Sequence, residues 1–124
     1  MGEKSGLRKF MHRLSADERV LEAEDLRESV AELGATPTRA CVARQKVCVA
    51  GTLRTVTLRP RAGVPALESE LWDGHGTVNL VWLGRRRIPG VEPGRKVRAR
   101  GRLSENEHRP TIFNPSYELL PPEG

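Results

Sequence analysis

The chain has 124 residues, of which 37% are hydrophobic, 30% charged and only 4% aromatic. That is one domain with an extension: too short for a bifunctional enzyme or a motor with its own nucleotide site, yet richer in branched aliphatics than a disordered chain. Lys plus Arg number 21 against 16 for Asp plus Glu, a net of +5, and most of the cations are arginines, which points first to phosphates.

No apolar run approaches the roughly 18 residues needed to span a bilayer, so no membrane association is expected. The opening Met1-Gly2-Glu3-Lys4-Ser5-Gly6 has no hydrophobic stretch behind it, and Gly6 stands where a myristoylation pattern needs Ser or Thr. Cys41 and Cys48 form neither a CxxC pair nor a disulfide framework, which points to a reduced cytoplasmic protein.

The chain has two unlike parts. Residues 1–46 carry nine basic and eight acidic groups, a net of +1; residues 47–124 carry twelve and eight, a net of +4. The first part reads as helix. Leu7, Phe10, Met11 and Leu14 share one helical face, and Ser15-Ala16-Asp17-Glu18 then reads as a capping box. Val20, Ala23, Leu26, Val30 and Leu33 form the narrow apolar stripe of a second helical segment, with Gly34 as its cap and Pro37 as a stop. Such a charged helix is marginal alone, so it must dock on the second part or on a partner.

The second part switches to period two. Over residues 47–58, Val47, Val49, Gly51 and Leu53 share one face but Val56 and Leu58 fall on the other. A phase slip near Thr55 predicts a bulge or bend. Segments 67–72 and 77–83 flank Asp73-Gly74-His75-Gly76, a hairpin signal. If Trp72 faces Thr77, then Leu67, Ser69, Leu71, Val78, Leu80 and Trp82 point inward, and Glu68, Glu70, Trp72, Thr77, Asn79 and Val81 outward.

Residues 84–94 are basic and turn-rich, leaving at most a turn between the third and fourth strands. Residues 96–103 alternate cleanly, with Val97, Ala99, Gly101 and Leu103 inward and Lys96, Arg98, Arg100 and Arg102 outward. A polar turn over 104–109 leads to a last strand at 111–113. Five strands with a bent, glycine-bearing first strand predict a small closed barrel, because a flat sheet of five would leave two edges to protect.

Several of these runs resemble, in order, a bacterial OB-fold nucleic-acid-binding domain. They are Val49-Ala50-Gly51-Thr52-Leu53, Leu71-Trp72-Asp73-Gly74-His75-Gly76-Thr77-Val78, Pro93-Gly94-Arg95-Lys96-Val97 and Gly101-Arg102-Leu103. Phe113-Asn114-Pro115-Ser116-Tyr117-Glu118 is similar to the end of the wedge domain of RecG-type helicases and to small actinobacterial OB proteins. The resemblance implies a mainly β protein: a five-stranded OB-fold Greek-key barrel over 47–120, preceded by an amphipathic helical leader and linker over 1–46 and followed by a tail at 121–124. It also implies a ligand class, single-stranded or branched DNA, or RNA, and no catalysis.

Arginine is the residue type that grips phosphates two oxygens at a time. Arg85, Arg86 and Arg87 form the densest charge, while Arg98, Arg100 and Arg102 project from one strand face about 6.6 Å apart, close to a phosphate repeat. Arg54, Arg59 and Arg61 stand near the first loop, which with the fourth-to-fifth loop flanks the ligand groove of an OB-fold. Trp72 is the best stacking candidate, although Glu68 and Glu70 share its face. Against these uses stand solvated turns and pairing of the arginines with acids such as Glu105 and Glu107. Trp82, Phe113 and Tyr117 read as barrel interior or closure.

No cofactor or metal is expected. His12, His75 and His108 lie in separate segments, no Cys/His pair has metal spacing, and neither a phosphate loop nor a nucleophile elbow occurs, so the chain does not read as an enzyme. The alternative to nucleic-acid binding is a protein-interaction adaptor, in which residues 7–33 hold a partner protein or a second copy of the chain.

Overall fold

The structure, a computed structural model, describes residues 16–121. The apolar face formed by Leu7, Phe10, Met11 and Leu14, and Ser15 of the capping box, lie outside those residues. Helix α1 spans Ala16–Glu32. It stops where expected, since Gly34 takes a φ of +71°, open to glycine without steric cost, and its N–H donates to the Ala31 carbonyl at 3.0 Å. Leu26 and Val30 are buried, and Leu33 half-buried, against Ala50 and Trp72 on the outside of the sheet. Helix α1 thus docks on the second part of the same chain. Substitution of Leu26 with Ala is expected to lower stability by about 2 kcal/mol, at the low end for a leucine because the contact is shallow. An earlier urea midpoint and a weaker helical circular-dichroism signal are the measurements.

A single 3₁₀ turn at Thr38–Ala40 connects α1 to the strands: β1 Lys46–Leu58, β2 Ala66–Trp72, β3 Thr77–Leu83, β4 Lys96–Asn106, β5 Arg109–Phe113 and β6 Ser116–Leu119. They form one six-stranded sheet in the order β1-β2-β3-β5-β4-β6, and an added β1–β4 pairing closes five of them into a ring. Every neighbouring pair in the ring is antiparallel except β3–β5. This connectivity is consistent with the OB-type topology expected from the sequence.

Closure depends on β1 serving two neighbours. Lys46 to Thr52 pair with β4, and Thr52 to Leu58 pair with β2. Between the two registers Leu53 faces Leu71 but Thr55 faces Glu70, so Arg54 is the bulged residue and the phase slip of the sequence is real. The β2–β3 register places Trp72 opposite Thr77 and Leu71 opposite Val78, as the alternation requires. Leu67, Leu71, Val78, Leu80 and Trp82 then meet Val49, Leu53, Val97, Ala99, Leu103 and Ile112 inside the ring. Ile88 and Val91, from the connection between β3 and β4, join that core where a helix was not expected.

Three expectations need correction. The sheet has six strands, because β6 pairs with β4 from Val97–Leu119 to Arg100–Ser116. The polar turn predicted over 104–109 shrinks to Glu107 and His108, both at positive φ, so β4 runs on to Asn106 and β5 starts at Arg109. Glu68 and Val81 lie on the outer face, yet both are buried, because Arg61 folds over Glu68 and Phe113 is paired beside Val81.

Candidate nucleic-acid interface

The pairing of β1 with β4 sets Lys46 opposite Arg102, Cys48 opposite Arg100 and Ala50 opposite Arg98. The three arginines therefore share one outer face, but not one role. Arg98 is spoken for: its guanidinium pairs with Glu118 on β6 and donates to the Leu33 carbonyl at 3.3 Å. The hydrogen bond to Glu118, and then that carboxylate's charge, raise the Arg98 pKa further above its ordinary value. Arg98 thus fastens the end of α1 and β6 to β4, and the expected three-arginine track is reduced to Arg100 and Arg102. The acid that pairs is Glu118, not the Glu105 or Glu107 that proximity in sequence suggested.

Lys46, Arg100 and Arg102 are exposed, and Arg102 reaches back to donate to the Arg44 carbonyl at 2.6 Å. Lys46, Val47, Cys48, Arg100, Gly101 and Ser116 line an open depression of about 440 Å³ with a largely apolar floor. Two cations directly opposite each other on a sheet repel, and among the described residues none of Lys46, Arg100 and Arg102 has an acid within ion-pair distance. A polyanion laid along this face relieves that repulsion.

Arg85, Arg86 and Arg87 are all exposed in the turn after β3. Arg54 and Trp72 come together, but not as an open platform. The Arg54 guanidinium sits 4.1 Å from the Trp72 ring centroid, and α1 packs on the same indole through its Leu26 and Val30 cluster. Trp72 is outward from the ring, as the alternation implies, and half-covered. Glu22 and Asp25 of α1 border the gap beside it, so a base stacking there meets both apolar cover and negative charge.

The first loop splits its arginines. Arg61 pairs with Glu68 at 2.9 Å and lies over the Phe113 ring at 5.6 Å, so it closes the outer face. Arg59 instead borders a groove of about 230 Å³ lined by Thr55, Thr57, Glu68, Ser69, Glu70, Asn79 and Arg109. Two tight turns rise around this region: Ala62-Gly63, bracketed by the Arg61–Val64 bridge, and Glu107-His108, all four residues at positive φ. Arg109 is a member that sequence reasoning misses, because its neighbours over 104–109 read as a polar turn. The alternation of Arg109, Thr111 and Phe113 against inward Ile112 was the signal that places it on the outer face.

Trp82 is interior and donates through Nε1 to the Pro115 carbonyl at 3.2 Å, while the half-exposed Tyr117 meets it edge-on with centroids 5.6 Å apart. Both cysteines are free thiols. Burial, then the nearby Asp73 and Cys48, push the Cys41 thiol above its ordinary value, away from thiolate character. Among the described residues no group of three or more His, Cys, Asp or Glu side chains is placed to hold a metal ion, and no helix is long and apolar enough to cross a membrane.

No family model matches the sequence, and no curated protein is similar to it. Among solved structures, the chain is similar to RecG in a structure of RecG bound to a three-way DNA junction. The TM-score is 0.53 at 24% sequence identity, over 67% of this chain and 12% of that one. The likeness is one of fold, and it reaches only that small share of the RecG chain.

Proposed function

We propose that the chain is a non-catalytic nucleic-acid-binding protein on an OB-fold Greek-key barrel, holding single-stranded or branched DNA, or RNA, through arginine–phosphate contacts. The observation that carries this reading is the cross-strand opposition of Lys46 and Arg102, with Arg100 beside them and no neutralising acid among the described residues. A stable sheet gains nothing from that arrangement, whereas a phosphodiester backbone does. The RecG structure with its DNA junction supports the reading as an analogy of fold. Arg85, Arg86 and Arg87 extend the cationic surface, and Arg59 and Arg109 supply a second point of contact.

Fluorescence anisotropy with labelled single-stranded DNA, single-stranded RNA, duplex and fork at about 50 and 200 mM salt tests it. Neutralisation of about three phosphates gives a slope of roughly −2 in log affinity against log salt for a single strand. The triple reversal of Lys46, Arg100 and Arg102 to Glu is expected to weaken binding by at least about tenfold whatever the base sequence. An unchanged dissociation constant in that variant removes the β1–β4 face from the interface. A flat titration on all four probes favours the adaptor reading instead, for which the exposed Val20 and Leu21 on α1 are the specific observation.

A further inference from the structure

The groove between the two tight turns has a floor that phosphate contact does not explain. Glu70 on β2 and Asn79 on β3 face each other directly across the ladder, and both side chains are half-buried. Among the described residues, neither the Glu70 carboxylate nor the Asn79 carboxamide has an ion-pair or hydrogen-bond partner. Their neighbour Glu68, by contrast, is buried and already neutralised by Arg61. Arg59 and Arg109 border the same groove, close enough to line it but without closing an ion pair onto Glu70. Two polar groups held side by side on rigid strands, open to the groove and flanked by two cations, form a reading surface rather than a stabilising one.

The pairing pattern selects the ligand. A carboxylate offers acceptors only, and two adjacent donors satisfy it best. Among the bases, only guanine presents adjacent donors on its Watson–Crick edge, N1–H and the N2 amino group, next to an O6 acceptor. Cytosine and adenine set a ring acceptor beside their amino group, and thymine or uracil sets one N–H between two carbonyls; each turns a lone pair toward the carboxylate. The Asn79 amide supplies the donor that O6 requires. We propose that this groove reads the Watson–Crick edge of an unpaired guanine, with Glu70 accepting from N1–H and N2–H and Asn79 donating to O6. The proposal rests on the nucleic-acid reading above and adds base selection to it. The flanking phosphates lie at the walls on Arg59 and Arg109, because the Glu70 charge repels them from the floor.

The test uses the full chain and an oligothymidine of about 12 nucleotides, within the usual span of one such module, with and without a single central guanine. Wild type is expected to bind the guanine-bearing strand about tenfold tighter, the order of one good bidentate base contact. The isosteric Glu70→Gln, which puts an amide donor against the guanine donors, is expected to lose that preference while binding oligothymidine at least as well as wild type. Equal wild-type affinity for the two strands overturns base reading by this groove and leaves phosphate binding standing. A preference that survives in E70Q overturns the assignment to Glu70. If neither strand binds, the nucleic-acid reading itself fails, and base selection with it. Guanosine monophosphate is the competing source of the same edge, and tighter binding of it than of the strand overturns recognition within a strand.

Discussion

Replacing Asp73 with Ala is expected to destabilise the protein by about 3 to 4 kcal/mol, enough to bring forward the urea midpoint by more than any single arginine change. Asp73 is fully buried in the turn between β2 and β3, yet no cation pairs with it among the described residues. Its charge is held by donors instead. One carboxylate oxygen accepts from the Thr38 hydroxyl at 2.8 Å and from the His75 and Gly76 amides at 2.9 and 3.0 Å. The other accepts from the Thr38 amide at 2.7 Å. Hydrogen bonds to an ionised group are about twice as strong as neutral ones, and removing the acceptor strands donors that folding has buried.

The effect also reaches beyond the turn. Thr38 belongs to the linker that follows α1, so Asp73 clamps linker to hairpin across 35 positions of sequence. Arg27 of α1 adds to this clamp by donating to the Gly74 carbonyl at 2.8 Å. Asp73→Asn preserves the shape and one acceptor oxygen, so it is expected to lose about half as much, roughly 2 kcal/mol. Chemical denaturation of both variants, followed by tryptophan fluorescence and circular dichroism, decides the point. Equal stability of D73A and wild type would show that water substitutes for the carboxylate.

Gly51→Ala is expected to cost about 3 kcal/mol through a different mechanism, overlap with backbone. Gly51 lies where β1 passes from β4 to β2, and its conformation is ordinary. The constraint is the neighbour: an added Cβ stands 2.2 Å from the Trp72 carbonyl oxygen and 2.8 Å from its carbon. Neither atom belongs to a flexible side chain, so β1 and β2 must separate at the point where the ring turns. Gly34→Ala provides the contrast, since a Cβ there meets nothing within 4 Å and the cost is the positive φ alone, about 1 kcal/mol. Thermal melts of the two variants distinguish the mechanisms by size. A Gly51→Ala protein that melts with wild type would mean that the ring relaxes around the methyl group.

Both residues show how much of the fold local pattern carries. Alternation across Asp73-Gly74-His75-Gly76 sets which residues face each other in the β2–β3 hairpin, because a strand has period two and a slip of one would turn Leu71, Val78 and Leu80 outward. The parity break in β1 marks the bulge for the same reason, and the regular alternation of Val97, Ala99, Gly101 and Leu103 marks β4. The ends of elements are less legible. Glu107 and His108 carry none of the usual residues of a two-residue turn, so the β4–β5 hairpin read as a long polar loop and Arg109 was lost with it. β6 is only four residues after Pro115, too short for any periodic signal.

The candidate site divides along the same line. Charge type, strand phase and the outward parity of Arg100, Arg102 and Trp72 are properties of near neighbours in sequence, and they follow from the chain alone. Which of those side chains stay available depends on contacts made by distant segments. Glu118 lies 20 residues from the Arg98 it takes out of the surface, and Leu33 lies 65 residues away. α1 covers Trp72 only because the chain folds this acidic helix onto β1. Arg59 and Arg109, fifty positions apart, border one groove only once the ring has closed. Local sterics and hydrophobic periodicity therefore determine elements and faces from sequence, whereas burial and ion pairing are long-range quantities that exist only after the ring and helix have packed.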